Sequence, residues 1–112
     1  MYYVNEGVYS SLNCIYFDHT IVHPKVLLKD GRFCHGAADD PEQKKYGCII
    51  WGPTCDAMDL VKRDGVLPEL DIDDWIYFDW MGAYTVAAAS TFNGFAKCVV
   101  KWTNTEPDRL MI

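Results

Sequence analysis

The sequence predicts a mainly β domain, barrel- or sandwich-like, with short helical insertions. Three observations carry that prediction. Short apolar runs rich in β-branched and aromatic residues recur along the chain, and Gly, Pro or Asp clusters close them. Helical spacing shows only in brief stretches. Half of the 112 residues are hydrophobic and 14% are aromatic, a composition that supplies one packed core and argues against disorder.

From the amino terminus, Tyr2 to Val4 reads as a short strand stopped at Asn5-Glu6-Gly7. Leu12, Ile15 and Tyr16 recur at helical spacing, so a brief helix is expected over Leu12 to His19, capped by Ser10 or Ser11. Ile21 to Leu28 returns to a strand pattern, interrupted by Pro24. Lys29 to Tyr46 carries Gly31, Gly36, Asp39-Asp40-Pro41-Glu42 and Lys44-Lys45, and is expected as an exposed, mobile loop. Strands are expected at Gly47 to Trp51 and Met58 to Arg63, with Asp64-Gly65 as a turn. Trp75 to Trp80 is the clearest strand pattern. Gly82 to Phe95 is rich in small residues, which allows one helical turn and the close approach of another backbone or a cofactor. Lys97 to Trp102 is expected as a last strand. The domain is thus read as residues 1–102, followed by a tail over 103–112 that contains Pro107.

Charge and cysteine usage narrow the function. A net charge of -6 disfavours nucleic acid and anionic membrane surfaces as partners. The apolar runs are too short to span a bilayer, and Met1-Tyr2-Tyr3-Val4 lacks the basic start of a signal peptide. The five cysteines, Cys14, Cys34, Cys48, Cys55 and Cys98, form no C-x-x-C pair, so reduced thiols in the cytoplasm are expected. No metal site is expected. His19 and His23 lie four apart, but Pro24 breaks a helix there, and His35 has no partner. Asp71, Asp73 and Asp74 lack the glycine and distal glutamate of a calcium loop and read as a solvated turn.

The chemistry-bearing stretch is Trp51-Gly52-Pro53-Thr54-Cys55-Asp56-Ala57-Met58-Asp59. Gly52 and Pro53 turn the chain out of the preceding strand, so a thiol and a carboxylate leave the turn side by side. Together with Gly82-Ala83-Tyr84-Thr85 and Tyr2-Tyr3-Val4-Asn5-Glu6-Gly7, this segment resembles the eukaryotic-type ornithine decarboxylases. These are pyridoxal-phosphate-dependent enzymes of the ornithine/diaminopimelate/arginine decarboxylase family, and the likeness falls in their carboxyl-terminal domain.

The resemblance implies roles residue by residue. Cys55 matches the family's proton donor; a thiol with the ordinary pKa near ~8.5 is mostly protonated at neutral pH and has a proton to give. Asp56 and Asp18 match carboxylates that hold the side-chain ammonium of L-ornithine, and so set the acceptable substrate length. Tyr84 matches a tyrosine whose hydroxyl bonds the cofactor phosphate. Tyr9, Phe17 and Phe92 match aromatic residues stacked across a homodimer contact. Asp59 matches a carboxylate paired with a lysine of the other subunit, and Gly82 lies where that contact is tight. Without the resemblance, Cys55 reads as a small hydrophobe, Asp18 as a surface acid, and the aromatic residues, Tyr84 included, as ordinary core.

The Schiff-base lysine, the glycine-rich phosphate loop and the acid facing the pyridine nitrogen belong to a barrel domain in this family, and none of their motifs occurs here. The chain is therefore expected to be the carboxyl-terminal part of a longer enzyme making putrescine, inactive alone. Cys55 and Asp56 would serve the partner subunit's site, while Asp18 and Tyr84 would serve their own. Two alternatives stand beside this one. Related decarboxylases act on arginine, lysine or diaminopimelate; those taking diaminopimelate tend to carry glutamate after the cysteine, so Asp56 favours ornithine. A non-catalytic regulator similar to the antizyme inhibitors would keep the fold but lose cofactor contacts, whereas Tyr84, Cys55 and Asp56 are all present. Binding of an antizyme-like regulator is a further expectation from the family.

Overall fold

The computed structural model describes residues 1–34 and 41–103. Its strands are β1 (Tyr2–Tyr3), β2 (Lys25–Lys29), β3 (Arg32–Phe33), β4 (Tyr46–Trp51), β5 (Leu60–Leu67) and β6 (Trp75–Tyr77), with one short helix, α1 (Cys14–Phe17). Two short 3₁₀ turns follow at Val86–Ala88 and Phe92–Gly94. The strands form two three-stranded sheets, ordered β1-β4-β5 and β3-β2-β6. β1 runs parallel to β4, with Tyr2 opposite Ile50, and every other pairing is antiparallel. The mainly β architecture with helical insertions is the one the sequence predicts.

Residues from both sheets meet in a single core. Ile50 of β4 is fully buried, and Val61 and Leu67 of β5 join Leu12 and Val22 around it. Val26 and Ile76 pack on this cluster from the second sheet. The Tyr2 hydroxyl ties β1 to the segment after β5, donating to the Pro68 carbonyl (3.2 Å) and accepting from Leu70 N (2.9 Å). Ile50→Ala removes the most buried of these side chains, and is expected to destabilise the fold by about 3 kcal/mol. Urea unfolding at unchanged m-value would check it.

Local geometry departs from the sequence reading at several places, each for a physical reason. Asp30 and Gly31 both take positive φ (53° and 75°), the two-residue turn that joins β2 to β3. The expected loop over 29–46 therefore holds the end of β2, all of β3 and the start of β4, while residues 35–40, with His35 and Gly36, lie outside the described part. Asp64-Gly65 is not a turn. It lies inside β5, opposite Cys48, where the register slips by one residue. A Cβ on Gly65 would stand 3.0 Å from Cys48 Sγ, so the glycine serves close strand packing.

The helix is shorter than expected, and no serine caps it. Ser10 and Ser11 turn their hydroxyls to the Glu6 carboxylate, leaving Asn13 at the N-cap without a side-chain cap bond. β6 ends at Tyr77, before Trp80, which takes a φ of 59°. Lys97 to Trp102 forms no strand: its apolar residues Val99 and Trp102 stay exposed with no paired neighbour among the described residues. Of the expected tail, 104–112 lies outside the described residues.

Candidate functional site

β4 delivers the chain at Trp51 into the loop 52–59, whose shape is set from beneath by Asp59. This side chain is 1% exposed. Its Oδ1 accepts the Val8 amide (3.0 Å), and its Oδ2 accepts the amide (3.0 Å) and hydroxyl (2.8 Å) of Thr54. The backbone closes the same loop, with Gly52 N donating to Asp59 O (2.8 Å) and Asp59 N to Asp56 O (2.9 Å). Gly7 and Gly52 flank the carboxylate so closely that a Cβ on either would overlap Asp59 Oδ1. Asp59, expected at a subunit contact opposite a lysine, is thus buried within its own chain and engaged by three of its own donors.

With Asp59 turned inward, Cys55 and Asp56 face outward. Cys55 is exposed and Asp56 half-buried. Asp56 Oδ1 accepts the Met58 amide (2.9 Å), and Oδ2 accepts a short hydrogen bond from the Tyr9 hydroxyl. The Tyr9 bond, then the Met58 amide, hold the Asp56 carboxyl below the usual carboxylate range. The same bond, aided by desolvation and by the Asp56 and Asp59 charges, pushes the Tyr9 phenol up to about 12. Phe92 stacks on the Tyr9 ring with centroids 4.1 Å apart. The Asn93 amide points Nδ2 at Cys55 Sγ across 3.9 Å.

Asp18 and Tyr84 meet elsewhere. They line one hollow of about 240 Å³ with Cys14, Thr20, Trp80, Met81, Ala83 and Thr85. Thr85 anchors its rim: the Thr85 hydroxyl reaches Met81 O (3.1 Å), and the Thr85 carbonyl accepts Asn13 Nδ2 (2.5 Å). Tyr84 is 73% exposed and holds a φ of 56°. The structure therefore sorts the expected site residues into two groups, Cys55 and Asp56 beside Tyr9 and Phe92, and Asp18 beside Tyr84. Phe17 is exposed, and a Cβ on Gly82 would meet nothing within 4 Å among the described residues.

Sequence reading missed Thr54, Ser90 and Asn93. Asn93-Gly94 carried a usable signal, since this dipeptide favours left-handed turns and both residues have positive φ here (61° and 81°). The expected acidic turn also has a structural use. Asp74 accepts the amides of Asp71 (2.7 Å) and Asp30 (3.1 Å), clamping the turn to the β2–β3 hairpin.

Comparison with known proteins places this arrangement. Residues 1–82 match the family model described as pyridoxal-dependent decarboxylase, C-terminal sheet domain. The chain belongs to that family. Ornithine decarboxylase of Schizosaccharomyces pombe is 50% identical over 107 residues, 95% of this chain and 24% of that protein. Antizyme inhibitor 2 of Xenopus laevis is 47% identical over 102 residues, 91% of this chain and 20% of that protein. Among solved structures, the Paramecium bursaria Chlorella virus arginine decarboxylase bound to agmatine superposes with a TM-score of 0.70 at 30% identity, over 83% of this chain and 23% of that one. The chain thus spans about a quarter of the length of these decarboxylases. Tyr84, Phe92 and Asn93 lie beyond the stretch that the family model matches.

For a sheet domain of pyridoxal-dependent decarboxylases, the residues present fit the cofactor in part. The exposed Tyr84 hydroxyl is a neutral donor suited to a phosphate oxygen. Among the described residues, the hollow around it presents one carboxylate, Asp18, and neither lysine nor arginine. The described lining of this hollow therefore supplies a donor but no counter-charge for a dianionic phosphate.

Proposed function

We propose that this chain is the sheet-domain part of an ornithine decarboxylase that converts L-ornithine to putrescine and carbon dioxide in polyamine synthesis. The observation that carries the reading is the outward projection of Cys55 and Asp56, side by side, from a loop whose own carboxylate is buried. When bound, pyridoxal phosphate supplies the electron sink for the bond broken in decarboxylation. Cys55 returns a proton from Sγ to the substrate carbon, and its exposure leaves room for that carbon to approach. Asp56 and Asp18 bind the side-chain ammonium, and Tyr84 donates to the cofactor phosphate.

The separation of these residues into two groups, Asp18 and Tyr84 in one hollow and Cys55 and Asp56 outside it, supports a shared site in a homodimer, with Cys55 and Asp56 reaching the partner subunit's barrel. Five free cysteines support a cytoplasmic setting. The likeness to an antizyme inhibitor favours a second reading, a non-catalytic regulator of the same fold. The intact Tyr84, Cys55 and Asp56 count against it.

A domain exchange tests the proposal. The matching segment of the Schizosaccharomyces pombe ornithine decarboxylase is replaced by residues 1–112, and release of carbon dioxide from ornithine, lysine and arginine is measured. The chimera is expected to retain ornithine activity within about tenfold of its parent and to prefer ornithine. A folded, dimeric chimera that is silent on all three substrates points to the regulator instead.

A further inference from the structure

We propose that Tyr9 is a positioning residue for Asp56, holding its carboxylate oriented to receive a primary ammonium. The inference deepens the reading above and rests on it for the identity of the ammonium as that of ornithine. Four contacts converge on Tyr9. Its hydroxyl donates to Asp56 Oδ2, and its ring stacks on Phe92. Its carbonyl accepts both the amide (2.9 Å) and the hydroxyl (2.8 Å) of Ser90. The Ser90 hydroxyl in turn accepts the Phe92 amide (3.3 Å).

Tyr9 is thus held at backbone and ring by a segment more than eighty residues away in sequence. A carboxylate on an exposed loop otherwise rotates freely and loses entropy on binding a cation. Among the described residues, each Asp56 oxygen has one protein donor, from Met58 and Tyr9, and keeps further acceptor capacity for an ammonium. The ionisable groups around the pair are Cys55, Asp59 and Tyr16. The charge of Asp59 acts on Tyr9, and Tyr16 spends its hydroxyl on the Met58 carbonyl (2.6 Å).

Tyr9→Phe tests this, because it keeps the stacked ring and removes only the donor. In the holoenzyme containing these residues, KM for ornithine is expected to rise about tenfold with kcat changed less than about twofold. The acid limb of kcat/KM is expected to move to higher pH: the bond holds the carboxyl low, so its loss lets Asp56 protonate sooner as pH falls. An unchanged KM overturns the proposal, as does a parallel loss of kcat, KM and thermal stability. A second readout needs no turnover. The Asp56 side-chain carboxyl, followed by carbon-13 NMR without substrate, is expected to titrate higher in Tyr9→Phe than in the wild type. If the wild-type holoenzyme does not decarboxylate ornithine, the substrate reading fails, and this titration decides the role of Tyr9 by itself. A carboxyl that moves keeps Tyr9 as its positioning residue for whatever cation binds; one that does not move overturns the proposal.

Discussion

Asp59→Ala is expected to destabilise the domain by about 3–5 kcal/mol, among the largest effects open to a single substitution here. The side chain is 1% exposed, and its removal strands the amides of Val8 and Thr54 together with the Thr54 hydroxyl. The buried Val8 amide left without a partner forfeits its full desolvation, about 1–3 kcal/mol, and the two half-buried Thr54 donors add a smaller share each. The midpoint of thermal unfolding should fall by roughly 10–20 °C for a domain of this size. Gly7→Ala and Gly52→Ala are expected to approach the same loss from the opposite side, because either Cβ would overlap the carboxylate. Asp59→Asn separates charge from shape. It keeps an oxygen for one set of donors but turns an NH₂ toward the other, and should fall between wild type and alanine. Variants as stable as wild type would show that the loop does not depend on the buried carboxylate.

That dependence explains why the local sequence showed so much of the fold and less of the site. The strand pattern at Gly47 to Trp51 and the break at Gly52-Pro53 are local properties, and both were legible. Two Asp-Gly pairs show where local reading stops. Asp30-Gly31 has positive φ at both positions and makes a hairpin turn, whereas Asp64-Gly65 continues β5 because Cys48 and Gly47 of β4 pair with Gly65 and Val66. The dipeptide is the same, and the strand partner decides. Lys97 to Trp102 shows the converse, a strand-like pattern that finds no partner among the described residues. Asp59 is read only through the resemblance, as a carboxylate paired with a lysine of the other subunit. Its burial follows from Gly7, Val8 and Gly52 closing around it, and Val8 is 51 positions away. The bond from Tyr9 to Asp56 is equally non-local, spanning 47 positions, so no motif announces it.

The contrasting result is expected at the neighbouring thiol, where activity and stability should come apart. Cys55 is exposed, and its sulfur has one hydrogen-bonding partner within the described residues, the Asn93 amide at 3.9 Å. Cys55→Ala should therefore leave the unfolding midpoint nearly unchanged, within about 0.5 kcal/mol. In the holoenzyme we propose, the same change removes the group that hands a proton to the substrate carbon, and putrescine formation should fall by about a hundredfold or more. Cofactor content, read from its absorbance, should stay at the wild-type level, because Tyr84 lines a hollow to which Cys55 does not contribute. KM for ornithine should also hold, since Asp56 keeps both its Tyr9 and Met58 contacts. Cys55→Ser separates acidity from geometry: a hydroxyl occupies the same place but is a far weaker acid than a thiol, so it should recover little of the lost rate. Full activity in Cys55→Ala would remove the thiol from the reaction and leave Asp56 as a binding group without a neighbouring acid.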